Sequence, residues 1–245
     1  MLISVLFLII AILYSTVGFG GGSSYIAILA LSNYPYESIP VIALICNLIV
    51  VSGGTAHYYK KGHLKWNLFW PFAISSIPLS FLGGLIKINK ETFLILLGIC
   101  LLLAGFRLLV MDRIKLDYKK TKEMKPKTGI LIGGLLGLLS GLVGIGGGIF
   151  LAPILHTFRW GLPKQIAGTA TLFIFINSIT GLCGQLIKNS IQFNLMDYWP
   201  LFLAVFLGGQ LGSNLGSGKF LSQRIIKNFT SLLVIYVGIK ILFFN

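Results

Sequence analysis

The chain has 245 residues, 56% hydrophobic and only 11% charged, with a net charge of +14 and a mean hydropathy of +0.89. Apolar runs of about twenty residues recur along it, the signature of a polytopic helical membrane protein rather than a soluble domain. Most Lys and Arg residues sit in short segments between apolar spans, as the positive-inside rule expects, so the charge does not indicate nucleic acid.

Leu2 to Val17 reads as an apolar helix. No Lys or Arg precedes it and no small-residue cleavage pattern follows, so it is expected to be structure and not a signal peptide. It ends in Val17-Gly18-Phe19-Gly20-Gly21-Gly22, where glycine interrupts the helix. A short helix from about Ser23 to Leu31 follows, roughly 14 Å long and so too short to cross ~30 Å of hydrocarbon. Ser32 to Glu37 reads as a turn and helix start, with Pro35 in the first turn and Glu37 favoured near the positive helix end. Three spans are expected next, Ser38 to Tyr58, Trp66 to Ile86 and Thr92 to Val110, and then a basic polar linker.

The plan then repeats. Val143-Gly144-Ile145-Gly146-Gly147-Gly148 restates the first break at an offset of about 126, and Asn47 corresponds to Asn177 at about 130. Pro35 corresponds to Pro163 and Trp70-Pro71 to Trp199-Pro200, the small drift being what short loop insertions produce. The later spans are expected at Gln165 to Ile187, Tyr198 to Gly216 and Ile225 to Phe243. The chain thus divides into a first transmembrane repeat (1–110), a basic cytoplasmic linker (111–127) and a second transmembrane repeat (128–245).

Two topologies fit this hydropathy. Eight simple crossings make the halves parallel; a hairpin at each glycine break makes them inverted. With simple crossings the twenty Lys and Arg divide 13 to 7. With hairpins, Lys60, Lys61, Lys65, Arg107, those from Arg113 to Lys127, Arg159, Lys164, Lys219, Arg224 and Lys227 share one side. Only Lys87, Lys90, Lys188 and Lys240 remain on the other. The sharper asymmetry favours an all-α fold of two inverted repeats, each a Gly-broken helical hairpin plus three transmembrane helices. The expected location is the cell inner membrane, multi-pass, with both termini outside and the linker in the cytoplasm.

Glycine-interrupted segments at matching positions of inverted repeats point to a secondary transporter's binding site. The first N–H groups of each short helix lack an intrahelical partner, and with the helix dipole they attract an anion. The competing reading is close helix packing through small-xxx-small spacing, preferred here for Gly208, Gly212 and Gly216. The candidate substrate-binding residues are Gly20, Gly21, Gly22, Ser23 and Asn47 in the first half, and Gly146, Gly147, Gly148, Asn177 and Thr171 in the second. The two asparagines are as well suited to interhelical hydrogen bonds as to an anion's oxygens, and Ser24, Thr169 and Gln185 are weaker candidates. His57 and His156 read as interface residues near cytoplasmic helix ends, and Trp66, Trp70 and Trp199 as belt aromatics. Cys46, Cys100 and Cys183 read as small buried hydrophobes.

The paired V-G-[FI]-G-G-G breaks, the four-plus-four hydropathy and the basic middle linker resemble the TauE/SafE family of sulfite exporters over essentially the whole chain. That resemblance implies transport of a small sulfur-containing anion such as sulfite or an organosulfonate. All six acids lie in loops or at span ends, and no hydrolase or nucleotide-binding motif is present, so an enzyme is not expected. No metal or cofactor is expected either; the partners are the bilayer and a small anion, and a homodimer stays open. A passive anion channel and a non-transporting assembly subunit are the alternatives. An inside-negative potential favours anion exit by about 2.3 kcal/mol per charge per 100 mV, so export needs no coupled ion. A topology reporter fused after Asn245 is expected to be active only outside the cell, and cytoplasmic activity would overturn the hairpin topology.

Overall fold

A computed structural model describes residues 2–17, 20–32, 34–111, 121–188, 195–216 and 223–243. Those residues form helices without strands. In the first half they are α1 (Leu2–Val17), α2 (Gly22–Leu31), α3 (Ser38–Lys60), α4 (Trp66–Leu85) and α5 (Lys90–Met111). The second half gives α6 (Pro126–Val143), α7 (Gly148–Phe158), α8 (Pro163–Lys188), α9 (Trp199–Gly216) and α10 (Gln223–Phe243), with a short 3-10 turn at Leu195–Tyr198. Among the described residues, four helices, α3, α4, α6 and α8, are long and apolar enough to cross a membrane.

Local chemistry explains the boundaries. Pro126 opens α6, where its missing N–H costs nothing, and Gly144 closes it in a left-handed conformation (φ 85°) with its N–H on the Ser140 carbonyl. Two details differ from the sequence reading. Pro35 lies before α3 instead of in its first turn, its carbonyl accepting from Ser38 N–H at 2.9 Å, whereas Pro163 is the first residue of α8. Trp199 and Pro200 open α9, while Trp70 and Pro71 lie one turn inside α4, which also carries Pro78.

Exchanging the halves maps the main helix contacts onto one another. The pair α4–α6 corresponds to α1–α9, α4–α8 to α3–α9, α7–α8 to α2–α3 and α5–α7 to α2–α10, while α3–α8 and α5–α10 are their own counterparts. Residue pairings give the directions. Along α4 and α6, Pro71 faces Gly129, Ser76 faces Gly137 and Ser80 faces Gly141, so the two run parallel. The Ser80 hydroxyl also donates to the Asn177 carbonyl (2.9 Å) and Gly84 faces Gln185, so α4 and α8 are parallel too. Gly181 meets Leu44 while Gly54 meets Thr171, making α3 and α8 antiparallel; Gly98 with Leu242 and Gly105 with Ile235 make α5 and α10 antiparallel.

Since α6 and α8 both run with α4, α7 has to bring the chain back between them. It does: Lys122, just before α6, donates its N–H to the carbonyl of Arg159, just past α7, at 2.9 Å. The loops at 61–65, 121–125 and 159–162 therefore share one end of the bundle, with His63 and Leu64 against Gly168. Lys60, Lys61, Lys65, Lys122, Lys125, Lys127, Arg159 and Lys164 gather there, and Arg107 reaches the hydroxyl of Thr157 on α7. Lys87, Lys90 and Lys188 lie at the opposite end.

Close packing in lipid depends on small residues that let backbones approach. On α6 the row Gly129, Gly133, Gly137 and Gly141 faces α4, and on α9 Gly208 and Gly212 face α1, as the packing reading of the latter two expects. Gly216 lies on α9, but its side of the helix is outside the described surroundings. Cys46 and Cys100 are buried, whereas Cys183 is exposed: it sits on the outer face of α8, so the expectation of a buried thiol is corrected there. Trp66, Trp70 and Trp199 are about half exposed near helix ends.

A Cβ at Gly137 would stand 2.5 Å from Ser76 Cα, and backbone there cannot yield as a flexible side chain can. Gly137→Leu is expected to cost about 1–3 kcal/mol through overpacking. This would be read as a fall in melting temperature in detergent relative to Gly53→Leu, a position with open space.

Candidate functional site

The two glycine breaks meet in the middle of the bundle. The first lies against Asn47, midway along α3, and the second against Ile174 and Ser178, midway along α8. A Cβ added at Gly20 would stand 2.5 Å from Asn47 Oδ1, one at Gly22 would stand 2.5 Å from Asn47 Nδ2 and 2.8 Å from the Ile145 carbonyl, and one at Gly146 would stand 2.8 Å from Asn47 Nδ2. Glycine is thus required sterically at Gly22, where a Cβ meets backbone, while at Gly20 it leaves room for the Asn47 amide. At Gly21, Gly144, Gly146 and Gly147 it is required by the backbone, whose φ values of 81°, 85°, 80° and 73° are left-handed.

Both short helices start alike. At α2, Ser24 and Tyr25 N–H both bond the Gly21 carbonyl (3.0 and 3.1 Å); at α7, Phe150 and Leu151 N–H both bond the Gly147 carbonyl (3.2 Å each). That leaves the N–H groups of Gly22, Ser23, Gly148 and Ile149 with no hydrogen bond to a described residue. Gly22, Ser23 and Gly148 are buried and Ile149 partly so, and their N–H groups lie where the helix dipoles are positive.

The breaks are tied down by side chains. Asn47 donates through Nδ2 to the Ile145 carbonyl (3.3 Å), crossing from the first half to the second. Gln185 donates through Nε2 to the Gly141 carbonyl (2.7 Å) near the end of α6, where the helix leaves carbonyls without partners. Asn177, the counterpart of Asn47, instead donates to the Phe173 carbonyl of its own helix at 2.8 Å. Among the described residues, the fully buried Asn47 Oδ1 and Ser178 Oγ, and the nearly buried Asn177 Oδ1, have no hydrogen-bond partner.

The structure gathers Gly20, Gly22, Asn47 and Gly146 in direct apposition, with Gly21 and Gly147 as the N-caps of α2 and α7, and Ser23 and Gly148 buried in their first turns. Thr171 is not among them. Its hydroxyl donates to the Ala167 carbonyl (2.7 Å) and its methyl faces Gly54, nearly two turns of α8 away from Ser178; a threonine in a helix bonds its own backbone readily. Gly18 and Phe19 lie outside the described residues. Two residues at the break escaped the sequence reading. Ser178 faces Gly146, and Tyr25 folds back over Gly21. The signal for Tyr25 was present, because the repeat places Leu151 at the matching position. Among the described residues no group of His, Cys, Asp or Glu gathers as a metal site would.

Apolar spanning helices around two buried, glycine-bounded helix starts define a multi-pass membrane transporter, a class the comparisons support. The sulfite exporter TauE/SafE family model matches residues 3–241, and the chain belongs to that family. It is 33% identical over 98% of its length to the probable membrane transporter protein y4hK of Sinorhizobium fredii, covering 97% of that protein. It is 24% identical to the probable membrane transporter protein YunE of Bacillus subtilis, over 98% of this chain and 96% of that one. A third relative, the probable membrane transporter protein MJ0441 of Methanocaldococcus jannaschii, is 30% identical over 74% of this chain and 70% of its own. No solved structure matches the chain. These names are those of transporters and not of enzymes.

Asn47→Leu removes the cross-half bond and leaves the buried Ile145 carbonyl unpaired, an expected loss of about 1–3 kcal/mol. Asn177→Leu loses a bond to a carbonyl already within its own helix, so its melting temperature is expected to fall less. Equal falls would contradict the bridging role of Asn47.

Proposed function

We propose that the chain carries a small sulfur-containing anion, sulfite or an organosulfonate, out of the cell by alternating access. In this reading the anion sits at the opposed N-termini of α2 and α7, with Asn47 beside it. The observation that carries it is the meeting of two glycine-bounded helix starts, midway along the antiparallel pair α3 and α8. N–H groups and dipoles at such ends attract negative charge without any fixed side-chain charge.

Equivalent helices packed antiparallel, α3 with α8 and α5 with α10, support two inverted repeats, because parallel repeats would align them. The gathering of cations at the end of the 61–65 loop supports a cytoplasmic placement of that end, in an inner membrane with both chain termini outside. An inside-negative potential then drives anion exit.

Full-length protein in liposomes is expected to pass sulfite or a sulfonate saturably. Gly21→Leu and Gly147→Leu, which force a side chain onto left-handed backbone at the helix starts, are expected to abolish that flux. Unsaturable flux would identify a channel, and absence of flux for every anion would identify an assembly subunit.

A further inference from the structure

Through the repeat the two ends of the bundle can be compared position by position, and they differ. Gly54 and Thr55 on α3 correspond to Gly184 and Gln185 on α8, and Gly209 on α9 corresponds to Ser80 on α4. At the end that carries Lys87 and Lys188, α4 and α8 close on each other. The Ser80 hydroxyl donates to the Asn177 carbonyl at 2.9 Å, a Cβ at Gly84 would stand 2.5 Å from the Gly181 carbonyl oxygen, and Gly184 faces the Phe81 carbonyl. Ser80, Gly84, Gly184 and Gln185 are all buried there. Gln185 adds a tie, donating to the Gly141 carbonyl of α6 at 2.7 Å.

Toward the basic end the equivalent helices part. Gly209 is half-buried, and a Cβ there would come no closer than 3.8 Å to Val50. Gly54 and Thr55 are half-buried where Gly184 and Gln185 are covered, Gly53 has open space around it, and the Thr55 hydroxyl has no partner among the described residues. Since Gly208 and Gly212 hold α9 against α1, those two helices stand off α3 together. The surface this uncovers is Ser52, Gly53, Ala56 and His57, small or polar throughout. On α8 the matching places hold Leu182, Cys183, Leu186 and Ile187, and large apolar side chains of that kind are what the bundle shows elsewhere, as at Leu103, Phe106 and Leu131. A histidine beside bare glycine backbone suits water and not hydrocarbon.

We propose that a water-filled passage runs between α3 and α9 from the basic end to the level of Asn47, that α4 and α8 are the shut gate on the other side, and that Gln185 is its bolt. The inference rests on the alternating-access reading and holds whichever anion is carried. In the opposite state α1 and α9 close on α3 as α6 and α4 now close on α8, with Gly54 receiving the Gln210 backbone as Gly184 receives that of Phe81. Opening the shut gate takes the Gln185 donor from the Gly141 carbonyl, and Thr55 is too short to make the equivalent tie to α1. A bond made in only one of two states shifts their populations by its own free energy, so Gln185 weights the molecule toward the state with the basic passage open.

The test is thiol labelling by a membrane-impermeant methanethiosulfonate, applied to either face of sealed vesicles holding the full-length protein. The background is Cys183→Ser, whose remaining cysteines, Cys46 and Cys100, are buried. Gly209→Cys and Ser52→Cys are expected to react from the basic face, and Ser80→Cys, at the place equivalent to Gly209, to resist the reagent from the other. Gln185→Met keeps the side-chain bulk and removes the donor; it is expected to raise labelling of Ser80→Cys about tenfold. Gly54→Leu, which keeps α9 from closing on α3, is expected to cancel that rise. Gln185→Cys removes the bolt and carries the probe itself, so its own labelling from the same face reads the gate without a change on α4. Unreactive Gly209→Cys and Ser52→Cys would overturn the passage, and reactive Ser80→Cys with Gln185 intact would overturn the shut gate. Labelling of Ser80→Cys unmoved by Gln185→Met, a rise that survives Gly54→Leu, or an unreactive Gln185→Cys would overturn the bolt. Each of these leaves the transport reading standing where the same vesicles pass sulfite, whereas the expected labelling in vesicles that pass no anion would overturn that reading instead.

Discussion

A broken helix inside a membrane leaves backbone polar groups that lipid cannot satisfy, and the rest of this structure follows from that constraint. Among the described residues, Gly20 to Gly22 of the first break and Gly144 to Gly148 of the second are buried against α3 and α8. The exposed carbonyls are then answered one at a time: Asn47 takes Ile145 and Gln185 takes Gly141. Those two carbonyls have donors, whereas the first N–H groups of α2 and α7 bond no described residue. In the proposed function that imbalance biases the breaks toward acceptor ligands.

Burying the breaks requires the surrounding helices to approach closely, which explains where the remaining glycines went. The row on α6 lets it lie against α4, and the pair on α9 lets it lie against α1. The counterpart of α6 is α1, so the two equivalent interfaces draw their small residues from opposite members of the pair. The symmetry is therefore one of shape more than of sequence, and it leaves each half free to vary the side chains that face the centre.

Helix positions were legible because hydropathy and glycine report them directly: α1 is found at Leu2–Val17 and the other starts and ends lie within about two residues of expectation. The convergence of Gly20, Gly22, Gly146 and Asn47 was legible through the repeat. Side-chain direction was not, because the same asparagine at matching positions bridges the halves at Asn47 and bonds its own helix at Asn177. Thr171 was drawn in by polarity and depth alone, and sequence carries no signal that its hydroxyl turns to Ala167. The four-residue spacing of Gly129, Gly133, Gly137 and Gly141 was visible in the sequence, but its partner helix is a tertiary fact.

The basic end of the bundle also bears on kinetics. The loops at 61–65, 121–125 and 159–162 bring at least eight cations together, with Glu123 as the acid beside them among the described residues. At the other end Glu37, Glu91 and Asp197 dilute a smaller set of lysines. For the anion proposed above as substrate, the basic end offers an attractive field reaching about a Debye length, ~8 Å at physiological salt, which raises its local concentration above bulk. In that proposal the cations that favour one orientation in a membrane also make the two ends unequal collectors. Capture at the basic one then weakens as ionic strength rises, while occupancy from the other depends far less on salt.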